Sequence, residues 1–174
     1  MRLLIPLLLL ASASAVAAPK QKTFFDSISA LCGQTLKGKV VTNIPADPAW
    51  DDQPLTLTIS HCEKRELTMP LMVGQDSSRT LYLRRANDSL QLEHRHRLAD
   101  GREDPLSRYG GRTREPGSVS LQRFPADSFT KALFKEKGLL EAIQNVWTLS
   151  LEQGQLHYRL DRPGREFEAV FELP

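Results

Sequence analysis

The sequence predicts a mainly β fold, an antiparallel meander of about nine or ten short strands closing into a barrel. Three observations carry this. Apolar and polar residues alternate in short runs, as in Leu55-Thr56-Leu57-Thr58-Ile59. Turn-forming clusters separate the runs at regular intervals, among them Gly74-Gln75-Asp76-Ser77-Ser78, Ala86-Asn87-Asp88, Gln153-Gly154 and Pro163-Gly164. Helical periodicity is confined to two short segments.

In chain order, residues 1–17 have the build of a secretion signal. Arg2 precedes the apolar stretch Leu3 to Leu10, and Ala15-Val16-Ala17 has the A-x-A form of a cleavage site. The apolar stretch is short for a membrane span. The first cysteine, Cys32, lies far beyond it, which argues against a lipoprotein. Residues 18–174 then form one β-barrel domain, with 18–22 as a loose tail. Phe24, Ile28 and Leu31 share one side of a short helix that Gly33 ends. Strands are expected over 55–60, 67–73, 79–85, 90–98, 118–123, 146–151, 156–160 and 167–173, with a weaker segment ending at Tyr109-Gly110-Gly111. Residues 128–143 read as helical, with Phe129, Leu133 and Phe134 on the apolar side and a break at Gly138.

The 23 Lys and Arg residues nearly balance 21 Asp and Glu. That balance argues against nucleic acid or an anionic membrane as the main partner. No second apolar run is long enough for a span after signal cleavage. The two cysteines, Cys32 and Cys62, are expected to pair in the oxidising periplasmic or secreted environment that a signal implies.

A helix, a meander, a late helical segment and closing strands follow a lipocalin-like (calycin) plan, an analogy of fold that carries no ligand with it. The stretches Val73 to Thr80, His94-Arg95-His96, Tyr109-Gly110-Gly111, Phe124-Pro125-Ala126-Asp127 and Asn145-Val146-Trp147 resemble those of small secreted bacterial proteins of uncharacterised function. That resemblance implies no activity, cofactor or site.

One strand carries an unusual pattern. From Leu90 to Leu98, even positions read Leu, Leu, His, His, Leu and odd positions Gln, Glu, Arg, Arg. Alternation therefore turns His94 and His96 inward and the charges toward water. Folding the preceding strand back through Ala86-Asn87-Asp88 sets Leu83 opposite Leu92, Leu81 opposite His94 and Arg79 opposite His96. Arg79, His94 and His96 are the candidate ligand-binding residues, with Asp76 beside them and Asp100, Glu103 and Asp104 from the loops at the same end. Three readings stay open: a clamp for a carboxylate or phosphate, a metal held by His94 and His96 with an acid, and a hydrogen-bonded polar plug. His61 shares the inward parity of Leu57 and Ile59 but falls at the opposite end; His157 faces outward. Trp50 is either an exposed anchor or the cover of a core edge.

No G-x-S-x-G and no H-E-x-x-H occurs, so the residues support no catalytic centre and no cofactor. Two functions are expected to compete: a binding barrel for a small polar or anionic ligand, which requires an interior cavity, and a protein-interaction module, such as an inhibitor of an exported enzyme, which requires a filled barrel.

Overall fold

The computed structural model describes residues 19–174; the expected signal lies outside the described residues. Ten antiparallel strands follow one another around a nearly closed barrel. They are β1 (Thr35–Ile44), β2 (Leu55–Thr58), β4 (Glu66–Val73), β5 (Asp76–Arg85), β6 (Leu90–His96), β7 (Tyr109–Arg112), β8 (Leu121–Pro125), β9 (Val146–Glu152), β10 (Gln155–Arg162) and β11 (Arg165–Glu172). The short β3 (His61–Cys62) pairs with β4 outside this path. The sheet runs in the order β7-β6-β5-β4-β2-β1-β11-β10-β9-β8, and strands consecutive in the chain pair from β4 through β7 and from β8 through β11. The order β2-β1-β11 joins the two halves, because β1 pairs with β11 as well as β2.

The barrel is closed at a seam between β7 and β8 by the bridge Gly111–Ala126 and a 3.2 Å bond from the Asp127 N–H to the Gly110 carbonyl. Gly111 makes this approach possible, and Gly110 brings β7 close onto β6. A Cβ on Gly110 would lie 1.9 Å from the Leu92 carbonyl oxygen, and one on Gly111 would lie 2.3 Å from that of Pro125. Neither position admits a side chain without moving backbone.

Alternation delivers the core. Trp147, Phe124, Phe171, Leu55, Leu57, Leu67, Met69 and Leu83 are fully buried, each contributing about 1.5–3 kcal/mol or more by leaving water. One end of the barrel is plugged by α1 (Lys20–Ser29), which buries Phe24, Phe25 and Ile28. This helix begins earlier than its apolar spacing predicts: residues 20–22, expected as a loose tail, form its first turn. The Cys32–Cys62 disulfide ties the end of the helix to β3. Replacing both cysteines by serine is expected to lower unfolding free energy by about 3–4 kcal/mol, the loop-closure entropy of their 30-residue separation. Urea titration checks this, and a loss below about 1 kcal/mol would contradict it.

The opposite end is covered by residues 45–54, residues 97–108 and α2 (Ser128–Glu136). Asp127 caps α2, its carboxylate accepting the Thr130 N–H at 2.9 Å. The expected helix over 128–143 is split at Gly138, and only residues 141–144 resume as a 3-10 turn. Its expected apolar side needs correction. Phe134 and Thr130 face the core, whereas Phe129 is 54% exposed, because the register of the cap turns the second residue of the helix outward. The expected strand over 118–123 is displaced to Leu121–Pro125, since residues 116–120 form the turn before it.

His61 also departs from expectation. The chain bends after Ile59, so His61 pairs with outward Thr68 while Cys62 pairs with inward Leu67; the His61 side chain is exposed. No helix among the described residues is long and apolar enough to cross a membrane.

Candidate functional site

The β5–β6 register is Leu83–Leu92, Leu81–His94 and Arg79–His96. Arg79, His94 and His96 therefore share the inner face of the barrel, Arg79 and His96 nearer the end covered by residues 97–108. Their surroundings differ with depth.

His94 is buried among aromatic rings. Tyr109 stacks on it with centroids 4.9 Å apart, and Trp147 lies 5.0 Å away. Its Nδ1 lies 3.2 Å from the Tyr109 carbonyl oxygen, which can only accept, so Nδ1 carries the proton. Nε2 is then the acceptor, and the Tyr158 hydroxyl donates to it at 2.8 Å. Burial holds the His94 pKa down at about 3, so the ring is neutral. Both its nitrogens are engaged within the protein. Burial also pushes the Tyr109 hydroxyl up to about 12 and Tyr158 well above the ordinary tyrosine value.

His96 sits one step nearer the rim. Its Nε2 lies 2.9 Å from the Tyr109 hydroxyl. Burial lowers its pKa, and the Arg79 guanidinium adds to that, while Asp104 and Asp76 oppose it. Arg79 pairs with Asp76 and lies over the Trp50 ring at 5.1 Å. Burial opposes ionisation of Asp76, but hydrogen bonds from Ser78 and Arg79 outweigh it and lower the pKa. Trp50 packs edge-on against Phe167 at 4.8 Å, which makes it the cover of a core edge. Asp100 binds Arg102 at the exposed tip of the loop and stands apart from this cluster. Among the described residues no three His, Cys, Asp or Glu side chains converge as metal ligands.

The open space lies on the other side of the same strands. A groove of about 140 Å³ is lined by Ser78, Thr80 and Tyr82 of β5, Arg95 and Arg97, and Glu103 and Arg108 of the covering loop, with His96 at its border. Parity explains it. Residues 78, 80 and 82 alternate with inward Arg79 and Leu81, and Arg95 and Arg97 alternate with the histidines. The 97–108 segment folds back to form the wall, pinned by the Arg97–Glu103 bridge, by Asp104 N–H to the His96 carbonyl at 3.0 Å, and by His96 N–H to the Ser107 hydroxyl at 3.1 Å.

Each groove arginine is anchored on one side. Arg95 Nε donates to Glu93 at 2.6 Å, and its guanidinium lies 4.4 Å over the Tyr82 ring. Arg97 donates to the Gly101 carbonyl at 3.0 Å. Arg108 grips Glu103 through two bonds of 2.7 and 2.8 Å, which hold the Glu103 carboxyl below its ordinary pKa. A guanidinium has five N–H donors, so each keeps donors for a guest. Glu93 and Glu103 pair with two of the three guanidiniums, so the groove keeps a net positive charge, with the Ser78 and Thr80 hydroxyls beside them. The outward arginines were visible in the sequence; the return of the loop over them depends on distant contacts that periodicity does not encode.

No family model, curated protein or solved structure matches this chain.

Proposed function

We propose that the protein is an exported, lipocalin-like binding barrel for a small anionic ligand, a carboxylate or a phosphate- or sulfate-type oxyanion, held in the outer groove between β5, β6 and residues 97–108. The observation that carries this is the convergence of Arg95, Arg97 and Arg108 on one walled space with hydroxyls in its floor. Preorganised guanidiniums give charge-assisted hydrogen bonds to an oxyanion, the strong class of such bonds. The anchors on Glu93, Glu103 and Gly101 reduce the side-chain entropy lost on binding. Arg79, His94 and His96 occupy the inner face of the same two strands, and Asp76 pairs with Arg79. Export rests on the signal-like residues 1–17 and the disulfide, which suits the periplasm or the medium.

Titration calorimetry with inorganic phosphate and sulfate at low ionic strength tests the proposal. Binding should weaken with added salt. The double variant Arg97→Gln/Arg108→Gln should bind at least about tenfold more weakly, a loss of about 1.4 kcal/mol. Equal affinity in the variant, or no binding of either anion or of acetate and citrate, would refute it.

A second reading, a protein-interaction module such as an inhibitor of an exported enzyme, is favoured by the packed interior: aromatic and aliphatic side chains occupy the space that an enclosed ligand would need.

A further inference from the structure

The β7–β8 seam is closed at only one end. The backbone of Ser120 accepts from Leu151, and the Ala126 N–H donates to Asn145. Antiparallel pairing alternates, so residues 120, 122, 124 and 126 of this segment turn their peptide groups toward β9. Residues 121, 123 and 125 turn theirs toward the seam. There the Gly111–Ala126 bridge engages the Pro125 end, and the Leu121 carbonyl accepts from Ser118. Between these points β7 and β8 diverge, and the N–H and carbonyl of Arg123 face the gap. A free strand edge of this kind is a template for another strand.

The same place holds the larger groove, about 410 Å³, with Leu121, Pro125 and Val146 as its apolar floor and Arg114, Glu115 and Arg123 as exposed flanks. Val119, 52% exposed, stands beside it in sequence on the turn into β8. Strand addition needs three things together: unpaired backbone groups, pockets for alternate side chains, and something that selects the guest. All three are present, and the selecting element, two arginines against Glu115, is net positive.

We propose that the seam along β8 takes an extended peptide segment of a partner protein, paired to Arg123 and carrying an acidic residue with an apolar one two positions to either side. Leu121, Arg123 and Pro125 share the outer face of β8, so these three guest residues share it too: the apolar pair rests on Leu121 and on Pro125 with Val146, and the acid between them faces Arg123 and Arg114. Proline at position 125 lacks an N–H, so it limits the added ladder to the stretch around Arg123 and sets where the guest strand begins. This surface is separate from the anion groove on β5 and β6.

The probe is a capped heptapeptide with valine, glutamate and valine at its second, fourth and sixth positions and threonine between them, titrated into the full domain and followed by backbone amide NMR. Saturable shifts are expected at Leu121, Arg123 and residues 112–115, with exchange of the Arg123 amide slowed at least tenfold. The same peptide with lysine in place of glutamate should bind at least tenfold more weakly. The glutamate peptide N-methylated at alternate residues keeps its side chains and charge but loses its ladder donors, and should not bind. Arg123→Glu should invert the preference between the acidic and basic peptides while leaving phosphate affinity unchanged. Absence of saturable shifts, shifts elsewhere, equal binding of the N-methylated peptide, or an unchanged charge preference in Arg123→Glu would each overturn the proposal.

Discussion

Acidification from pH 6.5 to 4.5 is expected to destabilise the folded protein by about 1.4 kcal/mol per pH unit through His94 alone. In the unfolded chain this imidazole takes up a proton near its ordinary value of 6.5, whereas in the barrel it remains neutral until about 3. Between those values the unfolded state binds one more proton. Stability is therefore complete above pH 6.5 and falls as the pH drops, accumulating to several kcal/mol at the lower limit. No carboxylate contacts the ring. The groups that face it are Tyr109, Tyr158 and Trp147, with His96 adding a small repulsion. His96, whose pKa is also lowered, contributes in the same direction. Asp76 and Glu103 lose their stabilisation only below their ordinary values of 3.8 and 4.5, so the histidine window is separable. Urea unfolding at pH 7, 5.5 and 4.5 measures the slope. His94→Gln keeps an acceptor for Tyr158 and cannot titrate, so it should flatten the slope whatever it costs at neutral pH. An unchanged slope in that variant would contradict a neutral, buried His94.

Trp147→Ala should cost about 3–5 kcal/mol and lower the melting temperature by roughly 10 °C. The indole is 1% exposed and lies against both His94 and Tyr109. Its removal leaves a void beneath the His94–Tyr158 hydrogen bond that neighbouring strands cannot collapse to fill, since the β9–β10 ladder fixes their spacing. Trp147→Phe, which keeps most of the volume, should cost less than half as much. Added indole should raise the melting temperature of Trp147→Ala and leave that of the unaltered protein in place. A loss below about 1 kcal/mol for the alanine variant would mean that the barrel interior is open space.

The β5–β6 hairpin shows what was legible in the sequence and why. Alternation fixed which face each residue takes, and Leu81, Leu83 and Leu92 had to meet, so the register bringing Arg79 to His96 followed from pairing apolar with apolar. The barrel was legible in the same way. Strand β1 was not: Gly38 stands where an inward apolar residue belongs, and a bulge after Val40 reverses the parity of Thr42 and Asn43, so no run of period two emerges. His61 misled because the bend after Ile59 also reverses parity, a feature of chain path that composition does not signal. The inner cluster was legible as an address, whereas its chemistry was not. Tyr109 and Tyr158, which occupy the ring nitrogens of His94, come from β7 and β10, and the sequence does not reveal that these strands meet across the barrel. The groove on the opposite face depends likewise on the fold-back of residues 97–108.

The central claim is that a small anion binds outside the barrel while the inner histidine and tyrosines stay closed to it. Titrating inorganic phosphate into uniformly ¹⁵N-labelled protein, with detection of arginine Nε–H and histidine ring signals, tests this directly. The account predicts saturable shifts at Arg95, Arg97 and Arg108 and at the amides of Ser78 and Thr80, with the His94 ring unmoved. Shifts centred on His94 and the Tyr109 amide, with the three arginines silent, would place the anion inside and contradict it.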